Sequence, residues 1–364
     1  MNTYDLLKEL TEMPGPSGFE TRISDLVEKT WQPFADEITV DRVGSLVALK
    51  IGAGSEPRPK IMLAAHMDEI GLMVTKMESY PDTGSGFLRV TSVGGIDKRQ
   101  LYGQRVVVHG SMNGRRDLTG VLGSLPERML PSERRDKSIG YSDLVVDLGL
   151  PLEEIKAAVS IGDFISFRRP LRKLLNKRAT GKALDNRVSI VVVTKCLEML
   201  GKRSHTWDVI AVATAQEETA LLGAHASAYD LEPDVAIALD VTFAKGPGVT
   251  EETIYKLGGG PTIGIGPNVH PGIFKALRDA ADRIEIESHV EPHARMSGTD
   301  ASGLQIARHG IPTGLVSIPI RYMHMSTETV SLVDIKRASR LIVEFIVDLD
   351  DSFLTTIEDS LMGK

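Results

Sequence analysis

The sequence predicts an α/β fold, a mainly parallel but mixed sheet wrapped by helices, interrupted by a small inserted β-barrel-like domain. Three observations carry this expectation. From about residue 185 onward, helical and extended segments alternate, the rhythm of a parallel sheet with crossover helices. Runs such as "KIMLAAHM" and "DVAIALDV" are apolar without alternation, as in strands buried on both faces. Between residues 79 and 165 the texture changes to glycine punctuation and short valine-rich runs, "QRVVVHG", "DLTGVLGS" and "GDFISF". A length of 364 residues suits about two domains, or one large domain with an insertion. The expected division is a host domain over 1–78 and 166–364 and an inserted domain over 79–165.

In chain order, residues 3–12 and 20–31 read as amphipathic helices, separated by the turn "PGPSG". "EITVDRVGSLVALKIG" (37–52) has a glycine turn between alternating segments and predicts a hairpin. The run over 59–77 predicts a buried strand. After the insertion come a helix at 185–200, a strand at 207–215, a helix near 220–229 and strands at 234–241 and 261–266. Helices at 271–283 and 300–309, a strand at 311–317 and a final helix at 331–349 complete the series.

Apolar residues make up 42% and charged residues 25%, the balance of a soluble globular protein, and a net charge of −7 offers no general field for nucleic acid or anionic lipid. One local exception is the basic run "FRRPLRKLLNKRATGK" (167–182), which reads as a solvated or interface face, or as a patch attracting acidic substrates. No apolar stretch reaches the roughly 18 residues of a membrane span. The single cysteine, Cys196, lies in an apolar run, and no signal-peptide pattern opens the sequence, so a reducing cytoplasm is the expected compartment.

The chemistry gathers where apolar runs stop. "IMLAAHMDE" delivers His66 and Asp68, "VIAVATAQEE" delivers Glu217 and Glu218, "DVAIALDVT" delivers Asp240, and "SIPIRYMHMSTE" delivers His324; "GKALDNRVS" adds Asp185 before a helix. Each alone has an ordinary explanation. A histidine can be a satisfied polar residue, Asp185 a helix cap, Asp240 a turn former, and Glu217–Glu218 an acidic pair complementing a helix dipole. Together they demand more, because ligands in such sheets gather beyond the carboxyl ends of the strands, and a metal cluster removes the repulsion among the acids. Two imidazoles and several carboxylates without thiolates suit Zn²⁺, Co²⁺ or Mn²⁺. So many ligands exceed the needs of one catalytic zinc, and two metals sharing a carboxylate fit better. His109, His205, His225, His270, His289, His293 and His309 lack this strand-end context and read as structural or surface residues.

At these residues the chain resembles the glutamyl-aminopeptidase and deblocking-aminopeptidase family of di-metal peptidases, which includes the tetrahedral aminopeptidases. The resemblance runs through "GPSGFE" (15–20), "AAHMDEIG" (64–71), "VGGID" (93–97), "GKALDNR" (181–187), "AQEETALLGA" (215–224), "ALDVT" (238–242), "LGGGPTIGIG" (257–266), "GTDASGLQIARHGIPT" (298–313) and "SIPIRYMHMSTE" (317–328). It implies that His66 and Asp240 hold one metal, Glu218 and His324 the other, and that Asp185 bridges them. It further implies that Asp68 orients His66, that Glu217 is the general base, and that the Asp185–Asn186 bond is cis. Two divalent ions, Zn²⁺ with Co²⁺ or Mn²⁺ as alternatives, peptide substrates, and a homo-oligomer, often of twelve subunits, are implied with it. Two departures stand out: Glu127 follows Pro126 where the family often has histidine, and "HMSTE" replaces the common "HSPVE" after the last ligand.

Three rival readings remain. A carboxypeptidase or an N-acyl-amino-acid deacylase of the same clan would use the same cluster. An endoglucanase would need two carboxylates flanking a glycosidic bond, about 5 to 9.5 Å apart, which adjacent glutamates do not obviously supply. A non-catalytic assembly protein would have no reason to keep ligands and base together.

Overall fold

In the computed structural model, which describes residues 2–80, 83–114, 116–135, 137, 140–249 and 254–361, the continuous apolar runs form the centre of the larger sheet. Its strands are β1 (Glu37–Val40), β2 (Leu46–Lys50) and β3 (Lys60–His66), then, beyond the insertion, β10 (Arg172–Leu174), β11 (Arg178–Gly181), β12 (Asp208–Thr214), β13 (Val235–Phe243), β14 (Thr262–Ile265), β15 (His289–Pro292), β16 (Thr313–Arg321) and β17 (Glu328–Ser331). The order is β1-β2-β12-β3-β13-β16-β17-β11-β10, with β14 pairing both β15 and β16. The middle four strands, β12-β3-β13-β16, are parallel, and the flanks are antiparallel. The fold is the expected mixed α/β sheet.

Alternation within the central strands explains why their sequences look uniformly apolar. Ile61, Leu63 and Ala65 of β3 join one core with Val209, Ala211 and Ala213 of β12, packed by helices Thr3–Glu12, Thr21–Trp31, Leu184–Leu200, Pro271–Arg283 and Leu332–Val347. Met62 and Ala64, with Ile210 and Val212, join a second core on the opposite face, under helices Leu222–Leu231 and Asp300–Gln305. A strand buried on both sides has no polar face to alternate with.

The six remaining strands, β4 (Gly71–Ser79), β5 (Gly86–Val93), β6 (Gln104–Gly110), β7 (Arg116–Ser124), β8 (Leu144–Asp147) and β9 (Phe164–Phe167), close into an antiparallel barrel in the order β4-β5-β8-β7-β6-β9. Leu72, Val74, Leu88, Val106, Val108, Leu122 and Val146 fill its own separate core. The predicted run at 59–77 is two strands, β3 and β4, joined by the buried connection Met67–Ile70, whose Asp68 and Glu69 mark the break. The barrel strands therefore start at Gly71 and end at Phe167. The Glu127 side chain lies outside the described residues.

The basic run at 167–182 folds mostly as the β10–β11 edge hairpin, where Arg172, Lys173 and Leu174 are exposed. Lys182 departs from that face: it is buried and ion-paired with Glu69 at 2.6 Å. The helix expected at 331–349 is Leu332–Val347, and a further helix outside that expectation, Phe353–Leu361, follows it after "DLDDS". No helix among the described residues is long and apolar enough to cross a membrane.

Candidate metal centre

Because the four central strands are parallel, their carboxyl ends lie at one edge. β3 ends at His66, opposite Thr214, the last residue of β12. Asp240 of β13 lies opposite Ser317 of β16, and His324 follows three residues after β16 ends. Asp185 enters from the start of helix Leu184–Leu200, where its φ/ψ of −76°/104° is not helical. It does not act there as a helix cap. Its Oδ1 lies 3.1 Å from His66 Nε2 and its Oδ2 3.4 Å from His324 Nε2. The Asp185–Asn186 peptide bond is cis.

Around this carboxylate the side chains form two groups. His66, Asp185 and Asp240 each offer a ligand atom within 4.8 Å of the others, and so do Asp185, Glu218 and His324. Glu217 Oε2 and Asp240 Oδ1 each stand 3.8 Å from His66 Nε2, and Glu218 Oε2 stands 3.5 Å from His324 Nε2. All the sequence-predicted site residues therefore converge, Asp68 included.

Neighbouring glutamates can share a site because the strand stops before them. β12 ends at Thr214, Gln216 takes a left-handed φ of 58°, and a one-turn helix begins at Glu217. Ala183 (φ 54°), Tyr322 (φ 65°) and His324 (φ 60°) are also left-handed. Such backbone costs a non-glycine residue about 1–2 kcal/mol and persists where surrounding structure enforces it. Here it accompanies the turns that bring Asp185, Glu217, Glu218 and His324 together.

Asp68 is the hub of that enforcement. Its Oδ1 lies 3.4 Å from His66 Nδ1. The same carboxylate accepts hydrogen bonds from the backbone N–H groups of Glu217 and Glu218, both at 3.1 Å, and a short one from the Ser17 hydroxyl. Burial raises the Asp68 carboxyl, but His66, Ser17 and the Glu217 amide outweigh it, so the group is held below its ordinary value as a carboxylate. Ser17 is thus a third attachment for the acid that holds both glutamates. Ser17→Ala is expected to lower kcat about 10-fold with bound metal unchanged. Steady-state kinetics alongside metal analysis checks this, and an unchanged kcat would refute it.

Glu328 is a further contributor that sequence reasoning did not single out, although it closes the quoted "HMSTE". Buried to 1% exposure, it accepts from the backbone N–H of Asp185 at 3.0 Å and of His324 at 3.2 Å. Asp300, in "GTDAS", was missed too; it accepts from the Thr214 hydroxyl at 2.5 Å, and its other oxygen is buried without a partner. The barrel contributes by close approach. A Cβ on Gly94 (φ 80°) would meet Glu218 Oε2 at 3.3 Å, one on Gly95 would meet His324 Nδ1 at 3.1 Å, and Gln100 Nε2 donates to the His324 carbonyl at 3.2 Å.

The electrostatics call for a cation. Burial first, then the neighbouring acids Asp240, Asp300 and Asp185, push the Glu217 carboxyl up to about 10 against the pull of His66. Burial likewise raises Glu218, with Asp185 beside it, and Asp240, whose rise His66 opposes. Burial lowers the His66 imidazole, but Glu217, Asp185 and Asp68 raise it well above its ordinary value. Asp185 is the exception: His324 and His66 overcome burial and hold it low. Desolvated carboxylates need a paired charge or a metal to stay ionised. Glu218 Oε1 is moreover buried with no hydrogen-bond partner. Oxygen and imidazole donors of this kind fit divalent cations such as zinc.

A cavity of about 450 Å³ opens on the cluster, lined by His66, Asp185, Glu217, Asp240 and His324 and, farther out, by Thr242, Glu291, His293 and Thr299. No residue of the basic run at 167–182 is among its described lining residues, so that run is not the charge a substrate meets there.

The profile of the M42 glutamyl aminopeptidase family matches residues 44–341. The chain belongs to that family. It is thereby an aminopeptidase of a metal-dependent kind, and two groups of its side chains could hold a metal ion. A lysyl aminopeptidase of Pyrococcus furiosus is 34% identical over 354 residues, covering 96% of this chain and 98% of its own. Among solved structures, the TET aminopeptidase of the marine sediment archaeon Thaumarchaeota archaeon SCGC AB-539-E09 superposes with a TM-score of 0.90 at 30% identity, covering 98% of both chains. The TET1 peptidase of Pyrococcus horikoshii, which can assemble into a tetrahedron or a large octahedral shell, gives 0.81 at 33% identity, covering 96% of this chain and 100% of that one.

Proposed function

We propose that the chain removes the N-terminal residue from peptides using two divalent cations, one held by His66, Asp185 and Asp240, the other by Asp185, Glu218 and His324. The observation that carries this reading is the shared carboxylate, whose two oxygens face the two imidazoles. When bound, such a pair of cations would polarise the scissile carbonyl and lower the pKa of the attacking water, which for zinc reaches about 7. Zinc suits the donors, with cobalt or manganese as alternatives.

The chain's own residues handle proton and geometry. Glu217 takes the proton from the attacking water as its oxygen bonds to the carbonyl carbon, then returns it to the leaving nitrogen as the C–N bond breaks. Asp68, anchored by Ser17, holds the Glu217 and Glu218 backbone and the His66 ring. The acidic lining of the cavity beside the cluster recognises the free amino group of the substrate.

Family membership supports this reading over a carboxypeptidase or N-acyl-amino-acid deacylase, which would use the same cluster. The test pairs metal analysis with peptides bearing free, N-acetylated or C-terminally blocked ends. Free-amine peptides are expected to be cleaved at about two cations per chain, and chelation to remove the activity reversibly; cleavage of acylated peptides alone would overturn the reading. The assemblies of the Pyrococcus horikoshii relative support a homo-oligomer of this chain, twelve subunits being the tetrahedral number. A reducing, cytoplasmic setting fits a chain whose single cysteine, Cys196, is buried and free.

A further inference from the structure

The wall of the cavity away from the cluster is built differently. Glu291 on β15 lines it, is 8% exposed, and accepts hydrogen bonds from the hydroxyls of Thr242 and Thr262. The Nε2 of His293 lies 3.9 Å from Glu291 Oε2, beyond hydrogen-bond distance, and is buried without a partner. Among the described residues lining the cavity there is no lysine or arginine.

A charge count decides what this wall wants. On the reading proposed above, on which this inference rests, Asp185, Glu217, Glu218 and Asp240 alone match the charge of two divalent cations, and Asp68, Asp300 and Glu328 stand beside them as further buried acids, so the cations leave no positive charge over for Glu291. Glu291 then remains an uncompensated negative charge in a confined, partly desolvated space, where charge pairs act more strongly than in water. Its nearby hydroxyls are already donating to it. What is missing is a donor that is also a cation.

We propose that Glu291 selects substrates whose N-terminal residue carries a cationic side chain, lysine or arginine. An ammonium has three donors and no acceptor, so a lysine end supplies the cationic donor that the Glu291 carboxylate lining the cavity lacks. A glutamyl or aspartyl side chain would instead set a second carboxylate beside Glu291, with no cationic side chain on that wall to receive it. A norleucyl side chain fills the same length but leaves the Glu291 charge unpaired.

The test compares kcat/KM for lysyl, norleucyl, leucyl and glutamyl p-nitroanilides at one metal loading. Lysyl is expected to exceed norleucyl by about 10- to 100-fold, the range of a charged hydrogen bond, and glutamyl to be the poorest. Glu291→Gln, whose amide keeps an oxygen for one threonine hydroxyl and can donate to the oxygen of the other, is expected to bring the lysyl-to-norleucyl ratio towards one. The wild-type ratio stands as a test even if that variant does not fold. Turnover of the leucyl substrate with lysyl equal to or below norleucyl overturns the inference and leaves the aminopeptidase reading intact. Failure of every free-amine substrate overturns that reading and this inference with it.

Discussion

Glu217→Gln is expected to lower kcat by about 10²- to 10⁴-fold, the contribution of a positioned general base, with metal content near wild type. The amide keeps the size of the side chain and cannot take a proton. Glu217 Oε2 stands 3.8 Å from His66 Nε2, but the two groups of potential ligands are complete without it. The substitution should therefore separate proton transfer from metal binding. It has a second readout. In the metal-free protein, burial first, then Asp240, Asp300 and Asp185, raise the Glu217 carboxyl from 4.5 to about 10. A carboxyl raised on folding contributes stability that is fully present below its unfolded value and is lost as pH rises through its folded one. Metal-free wild type should thus lose stability as pH climbs from about 4.5 towards 10, and the variant should lose less. Thermal melts of the chelated proteins at pH 5 and pH 8 test the stability claim. A Gln variant with most of its activity would refute the base assignment, and one with half its metal would make Glu217 a ligand.

The centre of the fold was legible because its physics is repetitive. Strands sandwiched between two helical layers must be apolar at every position, and the site lies where those runs stop, so His66, Glu217, Glu218 and Asp240 announced themselves by interrupting a pattern. Asp185 was harder to read, since an aspartate before a helix is usually a cap, and only distances of 3.1 and 3.4 Å to two imidazoles distinguish the roles. Where burial is one-sided or absent the pattern weakens. The exposed strand Arg172–Leu174 looks like a charge run, and the buried connection Met67–Ile70 joins two strands into one apparent segment. Glu328, Ser17 and Glu69 were least legible, because they act on backbone amides, on Asp68 or on Lys182, and a single sequence does not display such long-range pairings. His293 shows the converse. No apolar run marks its position in the sequence, yet it directly follows the end of β15 and lines the same cavity.

Asp185→Ala is expected to abolish both metal sites at once, whereas Asp240→Ala and Glu218→Ala should each cost one cation. The asymmetry follows from Asp185 belonging to both ligand groups while Asp240 and Glu218 belong to one apiece. Activity should fall by about 10³-fold or more, since a metal's charge stabilisation is worth several kcal/mol. Stability gives an independent measure: a cation at a hundred times its dissociation constant stabilises the folded state by about 2.7 kcal/mol, so added metal should raise the wild-type melting temperature and leave Asp185→Ala unmoved. The metal-free variant should also be poorer than metal-free wild type. Asp185 is held low by His324 and His66 against the effect of burial, so its removal leaves the raised imidazole of His66 with fewer partners. Metal analysis after gel filtration decides the matter. An Asp185→Ala protein retaining one tightly bound cation per chain would show two independent sites, and the shared-carboxylate reading would fall.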